Sequence, residues 1–454
     1  MFPERHKIWL RRGAVLLFWF LVWQLAAVMV DNSILLVPPI AAFRSFLSLL
    51  GEPTFWRVIL TSLGRIGSGF ALGFVTAVLL AVLSYRFRFV EELLSPVVGL
   101  IKTIPVVSFV VLLLIWWGAS VLAVIISFLV VLPGIYLNTL EGLRNVDKKL
   151  LEMANVFRIP AGRRFLYIYR PALRPFVLSG LKAALGMCWK AGVAAEVIGT
   201  PDYSIGERLY LSKIYLATGD VFAWTAVIIL LSIGFEKLLL WLVRCFFIWT
   251  LSMPVEVKAG LAEKTKEHTN YVSGGSGTIT CERVTKKYGD RIVHSDVTLC
   301  YEQGSVNYLR NPSGSGKTTL LRLIGGLEHP DEGTVTCDGR VSMMFQEDRL
   351  CEEYSAVCNV ALVTGNVPGA RKALERVLEP EALYQPCGSL SGGMKRRVAL
   401  VRAMEADADI VLLDEPFTGM DADTRRRAET YIEERRQGRT LVIATHIGFE
   451  KENI

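Results

Sequence analysis

The stretch Leu309-Arg310-Asn311-Pro312-Ser313-Gly314-Ser315-Gly316-Lys317-Thr318-Thr319-Leu320-Leu321 decides the fold of the C-terminal half. Ser305–Leu309 before it reads as a strand, and the residues after Thr319 read as an apolar helix. Small residues let backbone N–H groups turn inward around an anion. A lysine then reaches the outer phosphates, a hydroxyl suits Mg²⁺, and the helix N-terminus favours negative charge. Gly314, Gly316, Lys317 and Thr318 fill those roles, with Asn311, Ser313, Ser315 and Thr319 completing the loop. The first glycine of the usual pattern is Asn311 here. Asparagine is the non-glycine residue most at ease at positive φ, so the loop is expected to close.

Working outward, Thr278–Cys281, Val341–Phe345, Ile410–Leu413 and Leu441–Ala444 read as short β-branched strands alternating with helical patterns, as an α/β domain requires. Ile410–Leu413 runs into Asp414-Glu415-Pro416. Two carboxylates at a strand end suit one acid holding magnesium's hydration shell and one orienting the attacking water. Leu390-Ser391-Gly392-Gly393-Met394-Lys395-Arg396-Arg397 leads into a helix through Val401. Taken alone, its Ser-Gly-Gly could be only an N-cap.

Composition divides the rest. Of 454 residues, 52% are hydrophobic and 20% charged, with mean hydropathy +0.39. That excludes a disordered chain and argues against a wholly soluble one. Residues 1–252 carry 24 Lys and Arg against 13 Asp and Glu, and residues 253–454 carry 26 against 30. The basicity belongs to the apolar half, where it reflects membrane topology rather than nucleic-acid binding. The eight cysteines form no CxxC pair, so reduced thiols are expected and a zinc site is not. Residues 253–275, with Pro254 and Ser273-Gly274-Gly275, read as a flexible linker between a domain at 1–252 and one at 276–454.

Six membrane spans can be drawn in the first half, at 13–31, 58–84, 92–116, 119–140, 175–198 and 220–247. The first reads as a retained anchor rather than a signal peptide. Lys and Arg gather in the N-terminal arm, around Arg86 and Arg88, and in the fourth connection, which predicts these segments and both ends to be cytoplasmic. That connection, 141–174, is too long and too patterned for a linker. Leu150, Leu151, Ala154 and Phe157 recur at helical spacing, and Pro160 is expected to stop the helix. Such a helix could lie on the membrane or dock onto a partner domain. Lys182, Lys190 and Glu196 put charge in the fifth span, where it is costly. Lys182 is expected to snorkel inward and Glu196 to reach the outer face, while Lys190, with Trp189 beside it, is a candidate for lining a polar pathway.

The phosphate loop, the Ser391-Gly392-Gly393 motif and Asp414-Glu415, in this order, resemble the ABC ATPases. The resemblance implies an adenine-stacking role for Tyr288, a Mg²⁺-sensing role for Gln346, a D-loop aspartate at Asp421 and a γ-phosphate histidine at His446. Glu415 would be the catalytic base, and Thr318, Gln346 and Asp414 would serve Mg²⁺. Eight residues follow His446, and no regulatory domain is expected there. Glu152-Met153-Ala154 with Ile168-Tyr169-Arg170-Pro171 resembles the coupling loop of binding-protein-dependent ABC importers. That family's glycine falls on Arg158, and its Leu-Pro ending on Arg170-Pro171. Leu137–Leu143, Trp189 to Glu196 and Ser204-Ile205-Gly206 are similar to nitrate, sulfonate and taurine permeases.

Together these resemblances imply an all-α polytopic membrane domain of six transmembrane helices, of type I importer-like kind, fused to an α/β P-loop ABC ATPase domain. They imply ATP and Mg²⁺ as cofactors, a second copy of the chain as partner in a homodimer, an extracytoplasmic solute-binding protein, and a small solute crossing the lipid bilayer of the cytoplasmic membrane. The N-terminus and the ATPase domain would be cytoplasmic. An exporter half-molecule, or a regulatory or mechanical ABC membrane protein with weak ATPase activity, is the alternative. The solute itself is not named by the sequence.

Overall fold

A computed structural model describes residues 3–32, 34–248, 275–310, 312 and 314–445. By internal contacts the chain divides into two units, residues 1–145 with 173–245, and residues 146–172 with 246–454. The fourth connection therefore folds as part of the second unit, although it is flanked in sequence by helices of the first.

The first unit is helical. It contains α1 (Pro3–Val30), α2 (Pro39–Leu50), α3 (Phe55–Arg86), α4 (Arg88–Thr103), α5 (Val106–Trp117) and α6 (Ala119–Arg144). Among the described residues five helices are long and apolar enough to cross a membrane, or six if α4 and α5 count as one. The span expected at 92–116 is thus not one straight helix: α4 and α5 meet at a bend of 101°. Pro105 explains the break. Its ring removes a backbone donor and drives Ile104 to extended backbone (φ −71°, ψ 131°). The close pairing of the unit is α3 on α6, made possible by Gly69 and Gly73, whose missing side chains admit the α6 backbone at Val124 and Phe128. Around that contact Ile66, Phe70, Ala77, Val131 and Ile135 form a buried core.

The second unit opens with α7 (Lys148–Val156), α8 (Ala161–Arg164) and a single π turn (Phe165–Tyr169), which runs into α9 (Arg170–Gly199). From Leu173 onward α9 belongs to the first unit, as do α10 (Ile205–Ile214) and α11 (Thr218–Ile248) up to Cys245. Asp147 caps α7 by accepting from the Lys149 N–H. The helix ends before Pro160, not at it. Arg158 lies in the left-handed region (φ 49°), and the Ile159 and Arg158 N–H groups donate back to Ala154 and Asn155. This is the glycine-type helix stop, built here on arginine. Pro160 instead precedes the first residue of α8, a position where its lost donor costs nothing.

Two sheets follow. β1 (Thr278–Tyr288), β2 (Arg291–Tyr301) and β4 (Glu332–Asp338) form an antiparallel sheet in the order β2-β1-β4. β3 (Val306–Leu309), β5 (Val341–Met344), β6 (Ile410–Asp414) and β7 (Thr440–Ala444) form a parallel sheet in the order β3-β7-β6-β5. β6 and β7 are buried at every position, which suits a parallel sheet covered on both faces. Helices α12 (Lys317–Ile324), α13 (Ala356–Thr364), α14 (Val367–Leu374), α15 (Gly392–Glu405) and α16 (Ala422–Arg436) accompany it. The register pairs Leu309 with Ala444 and Asp414 with Ala444. The carboxyl ends of three neighbouring strands therefore lie together, where ligands bind in open parallel sheets.

Candidate nucleotide site

Gly314 and Gly316 sit at φ 79° and 91°, conformations that L side chains avoid. A Cβ on Gly316 would also collide with Val293 and His294. The turn throws the chain into α12, and Lys317 follows with its Nζ donating to the Pro312 carbonyl at 3.2 Å. Thr318 hydrogen-bonds the Asp414 side chain, so the two residues read as magnesium partners are brought together. Burial holds the Asp414 carboxyl above its ordinary value, with neighbouring Glu415 adding to the effect, against the Thr318 hydrogen bond and the charges of Arg396 and Lys317. Ser315 Oγ and Asp414 Oδ2 are buried with no hydrogen-bond partner among the described residues. An unpartnered hydroxyl able to donate fits a phosphate, and an unpartnered carboxylate oxygen fits a hard cation.

Glu415 adopts φ 48°, and its N–H donates to the Ala444 carbonyl at 2.9 Å. Arg396, from the Leu390–Arg397 motif, is buried beside it. Its guanidinium donates to the carbonyls of Glu415 (2.7 Å), Phe345 (2.7 Å) and Gln346 (2.9 Å) and to Asp348 Oδ1 (3.1 Å). Sequence reasoning gave Arg396 no role. A charged residue among apolar helix positions was the available signal, because a buried guanidinium must find several acceptors. Arg402 is a second such case. It is fully buried, donates to the carbonyls of Arg349 and Asp348 at 2.8 Å each, and burial pushes it down to about 10.

Ser391 caps α15, accepting from the Met394 N–H at 3.3 Å, and Gly393 packs close to the Gly419 carbonyl. Ser391 bonds within its own helix, accepting from Met394 and Lys395. Asp421 caps α16, and its bond from Thr424 holds the carboxyl below its ordinary value. Tyr288, half exposed, hydrogen-bonds Glu328 through its hydroxyl and also contacts Thr319. Gln346 is exposed. Asn311, Ser313 and His446, like nearly all of the linker expected at 253–275, lie outside the described residues.

The loop 146–172 docks within the same unit. Met153 and Ala154 are fully buried, in a cluster with Leu321, Phe345, Cys358 and Leu362. This decides between the two fates open to the amphipathic helix: it packs on the ATPase fold of its own chain. Glu152 bonds Arg322 (3.2 Å) and Arg349 (2.8 Å). Burial pulls its carboxyl up, but the two arginines outweigh that and hold it below its ordinary value. Tyr354 donates to the Leu166 carbonyl at 3.1 Å and stacks near Tyr167. Arg170, which precedes Pro171, is buried and faces the ring of Phe246 at 4.9 Å. In the membrane unit Trp189 is 2% exposed and packs on Phe235. It is core, because its ring fills a helix contact, whereas Lys190 is exposed. Glu196 is enclosed by protein. It is buried, accepting from Ser62 Oγ at 2.7 Å and the Gly206 N–H at 3.3 Å.

Comparison with known proteins agrees with this geometry. Residues 294–418 match the family described as ABC transporter, and residues 69–246 match the binding-protein-dependent transport system inner membrane component. An aliphatic sulfonates import ATP-binding protein SsuB 2 from Burkholderia cenocepacia is 37% identical, over 36% of this chain and 66% of its own length. SsuB 1 from Agrobacterium fabrum is 37% identical over 42% of this chain and 74% of its own. An Fe(3+) ions import ATP-binding protein FbpC from Brucella abortus is 37% identical over 37% of this chain and 54% of its own. The chain thus spans from about half to about three quarters of the length of these relatives. It belongs to the ABC transporter family, with a binding-protein-dependent permease domain and an ABC ATPase domain in one polypeptide.

Proposed function

We propose that the chain drives import of a small solute across the cytoplasmic membrane by hydrolysing ATP, as a homodimer served by an extracytoplasmic binding protein. The observation that carries this reading is the docked loop: Glu152 and Ala154 fold with the ATPase unit although the chain enters and leaves them through membrane-type helices. Relatives named for sulfonate and for Fe(3+) import support import as a class. Sulfonates, taurine and nitrate are the solutes favoured by the permease resemblance, and Lys190 is proposed to face their path. The N-terminus and the ATPase unit are placed in the cytoplasm on the strength of the Lys and Arg distribution.

In this mechanism the inward N–H groups of Gly314–Thr319 bind the phosphates, and Lys317 neutralises the outer ones. Thr318, Asp414 and Gln346 would hold Mg²⁺, which would supply positive charge to offset that of the outer phosphates. Glu415 orients the attacking water and takes its proton, with His446 stabilising the γ-phosphate. Ser391 and Gly392 of the second copy close the site, so hydrolysis requires two chains. Closure pulls on the Glu152 loop and reorients the membrane unit. The test is ATP turnover in proteoliposomes with and without the binding protein. Solute uptake that needs ATP inside and is lost in Glu415→Gln supports the reading. Solute leaving the cytoplasmic side, or turnover without any movement of solute, rejects it in favour of an exporter or a regulatory protein.

A further inference from the structure

Glu152 stands between two arginines that lead to opposite ends of the nucleotide site. On one side Arg349 Nη1 donates at 2.8 Å. The Arg349 guanidinium lies 3.9 Å from the Phe345 ring centroid, just before Gln346. On the other side Arg322 Nη1 and Nη2 reach the two oxygens of Glu152 at 3.2 and 3.4 Å. The same guanidinium turns its Nε to Glu328 Oε1 at 2.5 Å. The remaining oxygen of Glu328 accepts from the Tyr288 hydroxyl. Arg322 belongs to α12, the helix that leaves the phosphate loop, and its charged head and that of Glu328 are mostly buried.

We propose that Tyr288, Glu328 and Arg322 form a polar relay linking the adenine end of the nucleotide site to Glu152 of the coupling loop. The inference rests on the proposed function, since it takes Tyr288 as the base-stacking residue. A base lying on the Tyr288 ring restricts the ring and therefore the direction of its hydroxyl. Glu328 has both oxygens committed, so fixing one bond fixes the plane of the carboxylate. Arg322 uses a rigid planar fork, and its Nε bond decides where Nη1 and Nη2 point. The mostly buried Arg322–Glu328 pair at the middle of the series limits water's access there. Glu328 and Arg322 are thus positioning residues. Because coupling between sites is reciprocal, docking of the loop must strengthen base binding by the same factor as base binding strengthens docking.

The test uses the full chain in detergent micelles with AMP-PNP, which carries the base, and inorganic tripolyphosphate, which lacks it. Glu152→Gln and Glu328→Gln are each expected to weaken AMP-PNP about three- to tenfold while changing tripolyphosphate affinity less than twofold. The double variant is expected to be no weaker than the worse single one, as for members of one network. Arg322→Lys keeps the charge but cannot fork, so it is expected to fold and to show the same base-dependent loss. Hydrogen exchange of residues 148–156 should slow more with AMP-PNP than with tripolyphosphate in the wild type, and equally with both in Glu328→Gln. Additive losses, or equal losses with both ligands, would overturn the relay. Failure of the wild type to bind AMP-PNP at all overturns the proposed function itself, and that is seen before any variant is made.

Discussion

The guanidinium of Arg396 holds the carbonyl of Glu415 at 2.7 Å while Glu415 sits at φ 48°, a conformation costing a non-glycine residue roughly 1–2 kcal/mol. The strained residue is the one proposed to orient water, and the residue that restrains it comes from α15. Through the Gln346 carbonyl the same side chain also fixes the segment that follows β5. Motion of α15 therefore reaches the base and the Gln346 segment together.

Arg396→Lys replaces a fork by a point charge and keeps at best part of this set. Losing charge-assisted hydrogen bonds worth about 1.5–3 kcal/mol predicts a fall in kcat of roughly ten- to a hundredfold. The KM for ATP should change little, because the Arg396 bonds go to Phe345, Gln346, Asp348, Asp414 and Glu415 rather than to the phosphate loop. Steady-state ATPase assays over a range of ATP concentrations separate the two parameters.

The coupling loop supplies a pH prediction. Glu152 titrates below its ordinary value of 4.5. Its contribution to docking is therefore complete above that ordinary value and is lost as pH falls through the lowered one. At neutral pH Glu152→Gln should cost about 1 kcal/mol, kept small because the carboxylate is one third exposed. The gap in melting temperature between wild type and variant should hold from pH 7 to pH 5 and shrink below about 4.5. A gap that widened on acidification would contradict the assigned ion pairs.

Arg158 occupies the position where related loops carry glycine, and it does so at φ 49°. Arg158→Gly should therefore stabilise the docked loop by up to about 1 kcal/mol, removing Cβ strain at some cost in unfolded-state entropy. Differential scanning calorimetry of the two proteins should show the variant melting higher.

Much of the nucleotide site was legible because its chemistry requires fixed residue types at fixed spacing. Gly314 to Thr319 and Asp414-Glu415 could be read from neighbours alone. The antiparallel sheet was only partly visible. β2 and β4 alternate half-buried with exposed residues and carry charges that read as loop, so only the start of β1 stood out. Arg396, Arg322 and Glu328 were missed for another reason. Their partners lie from 6 to 170 residues away, so a charge among apolar helix positions does not by itself show which acceptors folding will bring to it. In the membrane unit hydropathy located the spans but did not show that Pro105 would break one of them. Nor did it show that Trp189 would pack inward while Lys190 stayed exposed.

Packing in the membrane unit can be tested at Gly69. A Cβ there would lie 2.3 Å from the Val124 carbonyl oxygen and 2.7 Å from the Ser127 Cβ, so α3 and α6 would have to separate. Overpacking of this kind typically costs about 1–3 kcal/mol. Gly64, in the same helix, has open space around it, and Gly64→Ala should be neutral or slightly stabilising through helix propensity. Melting of the detergent-solubilised protein should fall for Gly69→Ala and not for Gly64→Ala.

Asp414 offers the sharpest separation of stability from activity. Burial holds its carboxyl above its ordinary value, so at neutral pH, without a cation, the charged form is destabilising, and the penalty fades as pH falls from the raised value to the ordinary one. Asp414→Asn removes the charge and keeps an oxygen able to accept from Thr318. The nucleotide-free variant should melt at or above the wild-type temperature, with its advantage largest at neutral pH and vanishing in acid. The same change takes away the carboxylate proposed to serve Mg²⁺, so ATPase activity should fall at least a hundredfold, about 2.7 kcal/mol in barrier. Addition of Mg²⁺ with AMP-PNP should then raise the melting temperature of the wild type much more than that of the variant, because a ligand stabilises only the state that binds it. A variant less stable than wild type without ligand would mean that the charge at Asp414 is stabilised by the site even when empty.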